Sequence, residues 1–433
     1  MNTKNKCSVF TKLLRHGVCL FLCGHVLQMG REKSLLVDSA GAWCRLSLVL
    51  VMSVVVGVGM WSIVVILPAI QSDLGITRAQ ASFPYVFTMI GYGLGGIVFG
   101  RFSDKHGIHK TVVVGIVLMS AGYGVASFAT GVGSLSVSHG LLIGVGTSTT
   151  FGPLIAHVSH WFERRKGAAV GIIASGQYLS GAIWPTILES SVQEFGWRQT
   201  YWIVGITVLV LALPLSLVLR RTPTKEGKVT VAAHGSSLAR WPAPPFWLTT
   251  LLMISVFCCC VAMSMPQVHL VAFCGDLGFG AGTGAKMLSV MLAFGVVSRL
   301  GFGWLSDHIG GLKTVVIGVF LQGIGLALFL FFDTLVSLYF ISAIFGLFQG
   351  GIVPAYAMAV REYYPQRVAG ERVGMVMMAS LVGMAVGGWA PGYLFDLTGG
   401  YDAAFVNGLL WNTLPLIIVG WIIIRIRRMP TAS

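Results

Sequence analysis

The sequence predicts an all-α membrane protein, with twelve transmembrane helices in two pseudo-symmetric six-helix bundles. Three observations carry that expectation. Apolar residues come in blocks of about 20, the length a helix needs to cross a bilayer core of about 30 Å. Hydrophobic residues make up 55% of the 433-residue chain and charged residues 10%, against roughly 25% charged in a soluble domain, too little to coat a globule in water. A charged, glycine-bearing island, GRFSDKHGIHK at 100–110, returns as GWLSDHIGGLK at 303–313.

Apolar length and periodicity place the helices at 46–70, 81–100, 111–129, 134–158, 167–188, 198–219, 247–270, 284–303, 314–332, 335–360, 372–394 and 403–425. Residues 1–45 precede them as a basic cytoplasmic leader. Its apolar run VCLFLCGHVLQM is too short to span and lacks the small-residue cleavage pattern of a signal peptide. An unstructured leader, or an upstream start with the working start near Met29, is expected there. The N-terminal bundle covers 46–219, and a polar cytoplasmic linker with Pro, Gly, Ser and basic residues covers 220–246. The C-terminal bundle covers 247–428.

The net charge is +14, yet with both termini in the cytoplasm only Arg78, Arg198 and Lys286 of the 29 Lys and Arg fall on the outer side. Lys and Arg gather on the cytoplasmic side of membrane proteins. That bias fixes the orientation, supports an even helix number and explains the basic charge without nucleic acid as a partner. The expected location is the plasma membrane, or the inner membrane of a bacterium.

The two halves echo each other at a constant offset. FGPLIAHVSHWFERRKG after helix 4 has the shape of GGIVPAYAMAVREYYPQR after helix 10, and ASGQYLSGAIWP in helix 5 that of ASLVGMAVGGWAP in helix 11. A parallel repeat of this length is one way secondary transporters are built. Within the island, Gly100 and Gly303 end helices 2 and 8 where a missing side chain lets a neighbour approach. Asp104 and Asp307 stand near the starts of helices 3 and 9, where a carboxylate meets exposed backbone N–H groups. Gly107 and Gly310 permit a tight turn, and Lys110 and Lys313 hold the loops in the cytoplasm.

Gly100, Asp104, Lys105, Gly107 and Lys110 match the pattern G-x-x-x-D-[RK]-x-G-x-[RK]-[RK], and here the chain resembles the major facilitator superfamily. His109 and His308 stand where that pattern is usually basic. WFERRKGAAVGIIASGQYLSGAIWP, MPQVHLVAFCGDLGFG, VVSRLGFGWLSDHIGG and APGYLFDLTGGYDAAF are similar to the monocarboxylate transporter and oxalate/formate antiporter group. The resemblance implies that Arg299, at the matching position of helix 8, engages a substrate carboxylate. The monocarboxylate transporters carry an Asp four residues earlier, where this chain has Gly295, a departure at a position tied to proton coupling.

An intramembrane charge costs roughly 2.5–3.5 kcal/mol on insertion scales, and Arg299 lies just past the middle of predicted helix 8. Its guanidinium either grips a carboxylate through two parallel hydrogen bonds or snorkels to the inner headgroups. Lys286, 13 residues earlier, points about 220° away at 100° per residue and belongs elsewhere. Gln177 with Trp184, and Gln349 with Tyr356, sit seven apart on helices 5 and 10. Each pair shares a face that lines a substrate cavity or bonds to a neighbouring helix. His139, His157, His160 and His269 are candidate proton carriers or satisfied helix-end residues.

No Asp or Glu sits centrally in helices 1, 4, 7 or 10, so the coupling partner, a proton or a counter-anion, is not legible. GYGLGG at 91–96 satisfies G-x-G-x-x-G but lies inside an apolar helix with no preceding strand, and close helix packing explains it. Cys258, Cys259 and Cys260 face different directions, and no paired C-x-x-C spacing suggests a metal. No motif suggests a cofactor, and without a P-loop or G-x-S-x-G the chain is not expected to be an enzyme. The function expected is a monomeric carrier, in a lipid bilayer, moving a small organic anion such as a monocarboxylate by alternating access. Drug or amphipath efflux is the alternative, and a non-transporting sensor is disfavoured because no soluble signalling domain is present.

Overall fold

Apolar length decides where the chain spans, and special backbone positions decide where each helix stops. The computed structural model describes residues 37–221 and 246–428; most of the predicted leader and linker lies outside them. The N-terminal half contains α1 (Ala40–Leu74), α2 (Arg78–His106), α3 (Ile108–Ser127) and α4 (Val132–Ser159), followed by one helical stretch from Lys166 to Arg220. A straight helix of those 55 residues would be about 80 Å long, far more than a bilayer. Gly196, at φ 77° and ψ 164°, breaks it, giving α5 over 166–195 and α6 over 197–220. The C-terminal half repeats the count with α7 (Trp247–Asp276), α8 (Ala281–Ile309), α9 (Gly311–Phe331), α10 (Leu335–Tyr363), α11 (Arg367–Thr398) and α12 (Asp402–Ile426). Among the described residues eleven helical stretches are long and apolar enough to cross a membrane, and the broken one makes twelve spans. Among the described residues there is no strand.

The helix ends explain where predicted boundaries move. Thr77 and Gln80 form a reciprocal capping box that fixes the start of α2. At its other end α2 runs through the island to His106 and stops at Gly107, whose φ of 85° turns the chain into α3. Gly310, at φ 86°, does the same between α8 and α9. Asp104 and Asp307 therefore lie in the last turns of α2 and α8, not at the starts of the helices that follow. Falling hydropathy marks the edge of the apolar slab, whereas the helix ends only where the backbone leaves helical geometry. The same effect carries α5 past residue 188 and brings Glu189 into the helix.

Within the N-terminal half, glycine lets α2 and α4 touch: a Cβ at Gly91 would collide with the Gly140 carbonyl. This is the packing use expected of the GYGLGG run. Beside this contact Ile90, Leu94 and Val98 of α2 are about half exposed, a surface suited to lipid. Between the halves, α2 lies along α11, α5 along α8, and α1 against α7.

That seam is closed at one end and parted at the other. Along the α2–α11 seam a Cβ at Gly392 would sit 3.0 Å from the Arg78 carbonyl and one at Gly93 would sit 2.9 Å from Met378 Sδ. Two turns further on the same face of α2, Gly100 faces open space, as does Gly374 on α11. On the α5–α8 seam Gly181 and Gly295 are in contact across the halves, while Gly171 and Gly303 again meet nothing within 4 Å. The neighbour expected against Gly100 and Gly303 is absent in this conformation because the helices splay toward the Asp104 end. A crevice of about 1010 Å³ opens there, lined by Ile97 of α2 with Met253, Phe257, Met375, Met378 and Trp411.

Candidate functional site

Midway along the seam, five helices bring polar groups together. Arg299 lies four residues past the middle of α8, about 6 Å along the axis. Its Nη1 donates to the Ala174 carbonyl of α5, and its guanidinium carbon sits 4.1 Å from the centroid of the Tyr178 ring, a cation–π contact. The Tyr178 hydroxyl donates to Gln349 Oε1 of α10 at 3.4 Å, and Gln267 Nε2 of α7 donates to the same oxygen at 2.8 Å. Tyr92 of α2 lies within electrostatic reach of Arg299. Tyr178, Gln267 and Gln349 are buried, yet Gln267 Oε1, Gln349 Nε2 and Arg299 Nε have no hydrogen-bond partner among the described residues. A mid-seam cation beside spare donors and acceptors can orient a polar anion.

Gly295 is what lets Tyr178 lie here. A Cβ at that position would overlap the Tyr178 ring, so the ring occupies the space that an Asp side chain would need. The Tyr178 ring is instead the seat of the Arg299 guanidinium.

The other predicted site residues have separate surroundings. Trp184 Nε1 donates to the Val54 carbonyl of α1 at 2.9 Å. Gln177 is buried with neither side-chain amide atom bonded, and its backbone carbonyl accepts from Trp61 Nε1 at 3.0 Å. Tyr356 is buried inside the C-terminal half, its hydroxyl 2.5 Å from Ser255 Oγ. The structure thus joins Arg299 and Gln349 in one cluster and adds Tyr178 and Gln267. Gln267 was readable as a polar residue in an apolar helix; Tyr178 left no signal apart from its neighbour Gln177. Three of the histidines are held by partners: His139 by Thr88 at 3.2 Å and Tyr201 at 3.0 Å, His157 by Trp161 at 3.2 Å, and His269 by Tyr401 at 3.1 Å and the Gly388 carbonyl at 2.9 Å.

The closed end carries a lock that sequence reading missed. Arg78 is 6% exposed and reaches from the N-terminal half into the other. Its Nη1 and Nη2 donate to the two Asp276 carboxylate oxygens at 2.8 and 3.1 Å, and Nη1 donates to the Tyr401 hydroxyl at 2.7 Å. The guanidinium lies 4.3 Å from the Phe395 ring centroid. Asp396 accepts from the backbone N–H groups of Arg78 and Ala79 at 2.9 and 2.8 Å, so one half caps a helix of the other. Arg78 stood out in the sequence only as one of three basic residues on the outer side.

At the parted end, Asp104, Lys105, Lys110, Asp307 and Lys313 are exposed. Among the described residues neither aspartate has a hydrogen bond or ion pair. His109 bonds the Ser216 carbonyl at 2.9 Å and accepts from Arg220 Nε at 3.0 Å, tying the α2–α3 turn to the end of α6. Glu362 accepts from the Gly311 N–H at 2.7 Å and so caps α9, the role the sequence had assigned to Asp307.

Comparison with known proteins places this geometry in context. The model of the Major Facilitator Superfamily matches residues 49–388 and 298–432. Monocarboxylate transporter 13 of Bos taurus is 30% identical over 319 residues, covering 72% of this chain and 73% of the relative. Monocarboxylate transporter 12 of Homo sapiens is 27% identical over 352 residues, 74% of this chain and 67% of the relative. The crystal structure of a peptide transporter, POT, in complex with sulfate superposes with a TM-score of 0.72 at 15% identity, covering 93% of this chain and 99% of that one.

Proposed function

The chain belongs to the Major Facilitator Superfamily, and from that premise we propose that it moves a small organic anion, a monocarboxylate, by alternating access. It is a multi-pass membrane transporter and not an enzyme. The observation that carries the finer reading is Arg299, a cation held mid-seam by the Tyr178 ring with Gln267 and Gln349 beside it. The names of the relatives point to the same substrate class.

In this reading the Asp104 end faces the cytoplasm, in keeping with the Lys and Arg bias, and the conformation is open inward. The Arg78 lock seals the outer side. The protein works as a monomer in the plasma membrane, or in the inner membrane of a bacterium, with both termini cytoplasmic. Gln177, Trp184 and Tyr356 support the cavity walls, and the islands at Gly100–Lys110 and Gly303–Lys313 act as the cytoplasmic hinges.

The test is uptake of labelled lactate, pyruvate, oxalate and formate by proteoliposomes. Losing hydrogen bonds to a charged partner costs about 1.5–3 kcal/mol each, so Arg299→Ala should weaken anion flux by at least about tenfold. Undiminished flux in that variant removes Arg299 from the site. The apolar crevice beside Ile97 favours a second reading, export of amphipathic compounds, which dye export without anion flux would support.

A further inference from the structure

Glu189 is 7% exposed and is the only buried Asp or Glu among the described residues. It lies on α5 about two turns from the break at Gly196, on the face that meets α8. Its carboxylate accepts one hydrogen bond, from Gln193 Nε2 at 3.0 Å. Among the described residues no Lys, Arg or His comes within the 4.0 Å of an ion pair. Thr186, Glu189, Ser190 and Gln193 form one wall of a pocket of about 330 Å³, and the start of α8 forms the other, with Lys286 at its edge.

The pocket exists only while the two halves are together. One turn before Glu189, the Thr186 hydroxyl bonds Ser289 Oγ across the seam at 3.2 Å. A Cβ at Gly282 of α8 would stand 3.8 Å from the Glu189 side chain. Opening the Arg78 end pulls these walls apart and returns the carboxylate to water. Closing it leaves the carboxylate 7% exposed on the wall of that small pocket and brings no cation within ion-pair distance, a greater cost for an ionised carboxylate than for the neutral acid.

We propose that Glu189 is the proton-binding site that couples the outer aqueous phase to closure of the outer gate. On closing, one proton from the outer water joins a carboxylate oxygen of Glu189; on reopening, the same O–H bond breaks and the proton returns to that water. The proposal rests on the transporter reading and its orientation, not on the identity of the substrate.

Other charged groups on the packed elements are accounted for. Lys286 on α8 is exposed at the pocket edge and forms no ion pair among the described residues. Asp73 at the end of α1 and Arg198 at the start of α6 bind each other at 2.5 Å. Glu194, on α5 itself, is exposed. Arg299 is 13 residues further along α8 than Lys286, about 20 Å. Arg78 and Asp276 are paired across the outer mouth.

The experiment reads closure directly, without substrate. Spin labels at Ser72 and Thr398, exposed at the outer ends of the two halves, report the open and closed populations by electron–electron distance measurement between pH 5 and 8, after replacement of the eight native cysteines. One proton taken up on closing shifts the closed-to-open ratio about tenfold per pH unit, toward closed in acid, over the range where Glu189 titrates. Glu189→Gln should stay closed at every pH. A second measurement, on protein with its native cysteines, is transport against outer pH, whose dependence Glu189→Gln should flatten. Populations that ignore pH, a Glu189→Gln variant that keeps the wild-type response, or a response to sodium in place of pH would each overturn the proposal. Loss of anion selectivity in the flux assay would overturn only the substrate reading.

Discussion

Replacing Asp276 with Asn tests whether the Arg78 cluster holds the outer gate shut. Asn keeps one acceptor for Arg78 but removes the charge and the two-pronged geometry at 2.8 and 3.1 Å. Hydrogen bonds to charged partners contribute about 1.5–3 kcal/mol each. The Asp276 side chain is 36% exposed, so solvent screening takes back a large share. Arg78 also keeps Tyr401 and Gln71. A net loss of about 1–2 kcal/mol follows, which multiplies the open population by about five to thirty. The assay is the labelling rate of a thiol introduced by Ser289→Cys, a position half-buried and hydrogen-bonded to Thr186 in the closed seam, with a membrane-impermeant reagent in the outer water and the unsubstituted chain as the background. In the Asp276→Asn background the rate should rise by that factor. An unchanged or slower rate would refute the assignment of Arg78 and Asp276 as the lock.

Three further outcomes follow from named contacts. Gly295→Asp should lower the melting temperature, since overpacking costs about 1–3 kcal/mol, and Tyr178→Ala should relieve much of that loss by vacating the contested space; a double variant as unstable as the sum of the singles would argue against the clash. Gly107→Ala forces a side chain into φ 85°, ψ 154°, costing about 1–3 kcal/mol, whereas Gly100→Ala, facing open space, should leave thermal stability unchanged. Asp104→Asn touches no partner in this conformation, so melting should hold while transport slows through the opposite, inward-closed state; transport rates and state populations both untouched would exclude the hinge role.

The candidate site was half legible. Arg299 declared itself because a charge inside an apolar helix is rare and costly. Tyr178 and Gln267 did not, since Tyr and Gln also occur in ordinary helix packing and only the meeting of α5, α7, α8 and α10 makes them neighbours of the guanidinium. Spacing put Trp184 on the Gln177 face and Tyr356 on the Gln349 face, but spacing within one helix says nothing about which helix lies opposite. Trp184 meets α1 and Tyr356 meets α7 instead. Glu189 was hidden because polarity near residue 188 reads as a helix end, although the backbone stays helical to residue 195.

The number of spans, the duplication and the charge bias were written in the sequence. Each is fixed by one-dimensional quantities: the thickness of the lipid slab, the order of residues, and the side on which Lys and Arg collect. Tertiary structure alone decided which end of the seam is shut, that Tyr178 fills the space beside Gly295, and that Arg78 crosses to Asp276 while Glu189 has no cation. Those are contacts between segments about 120 to 200 residues apart, and their energies depend on distance and burial, which no local pattern encodes.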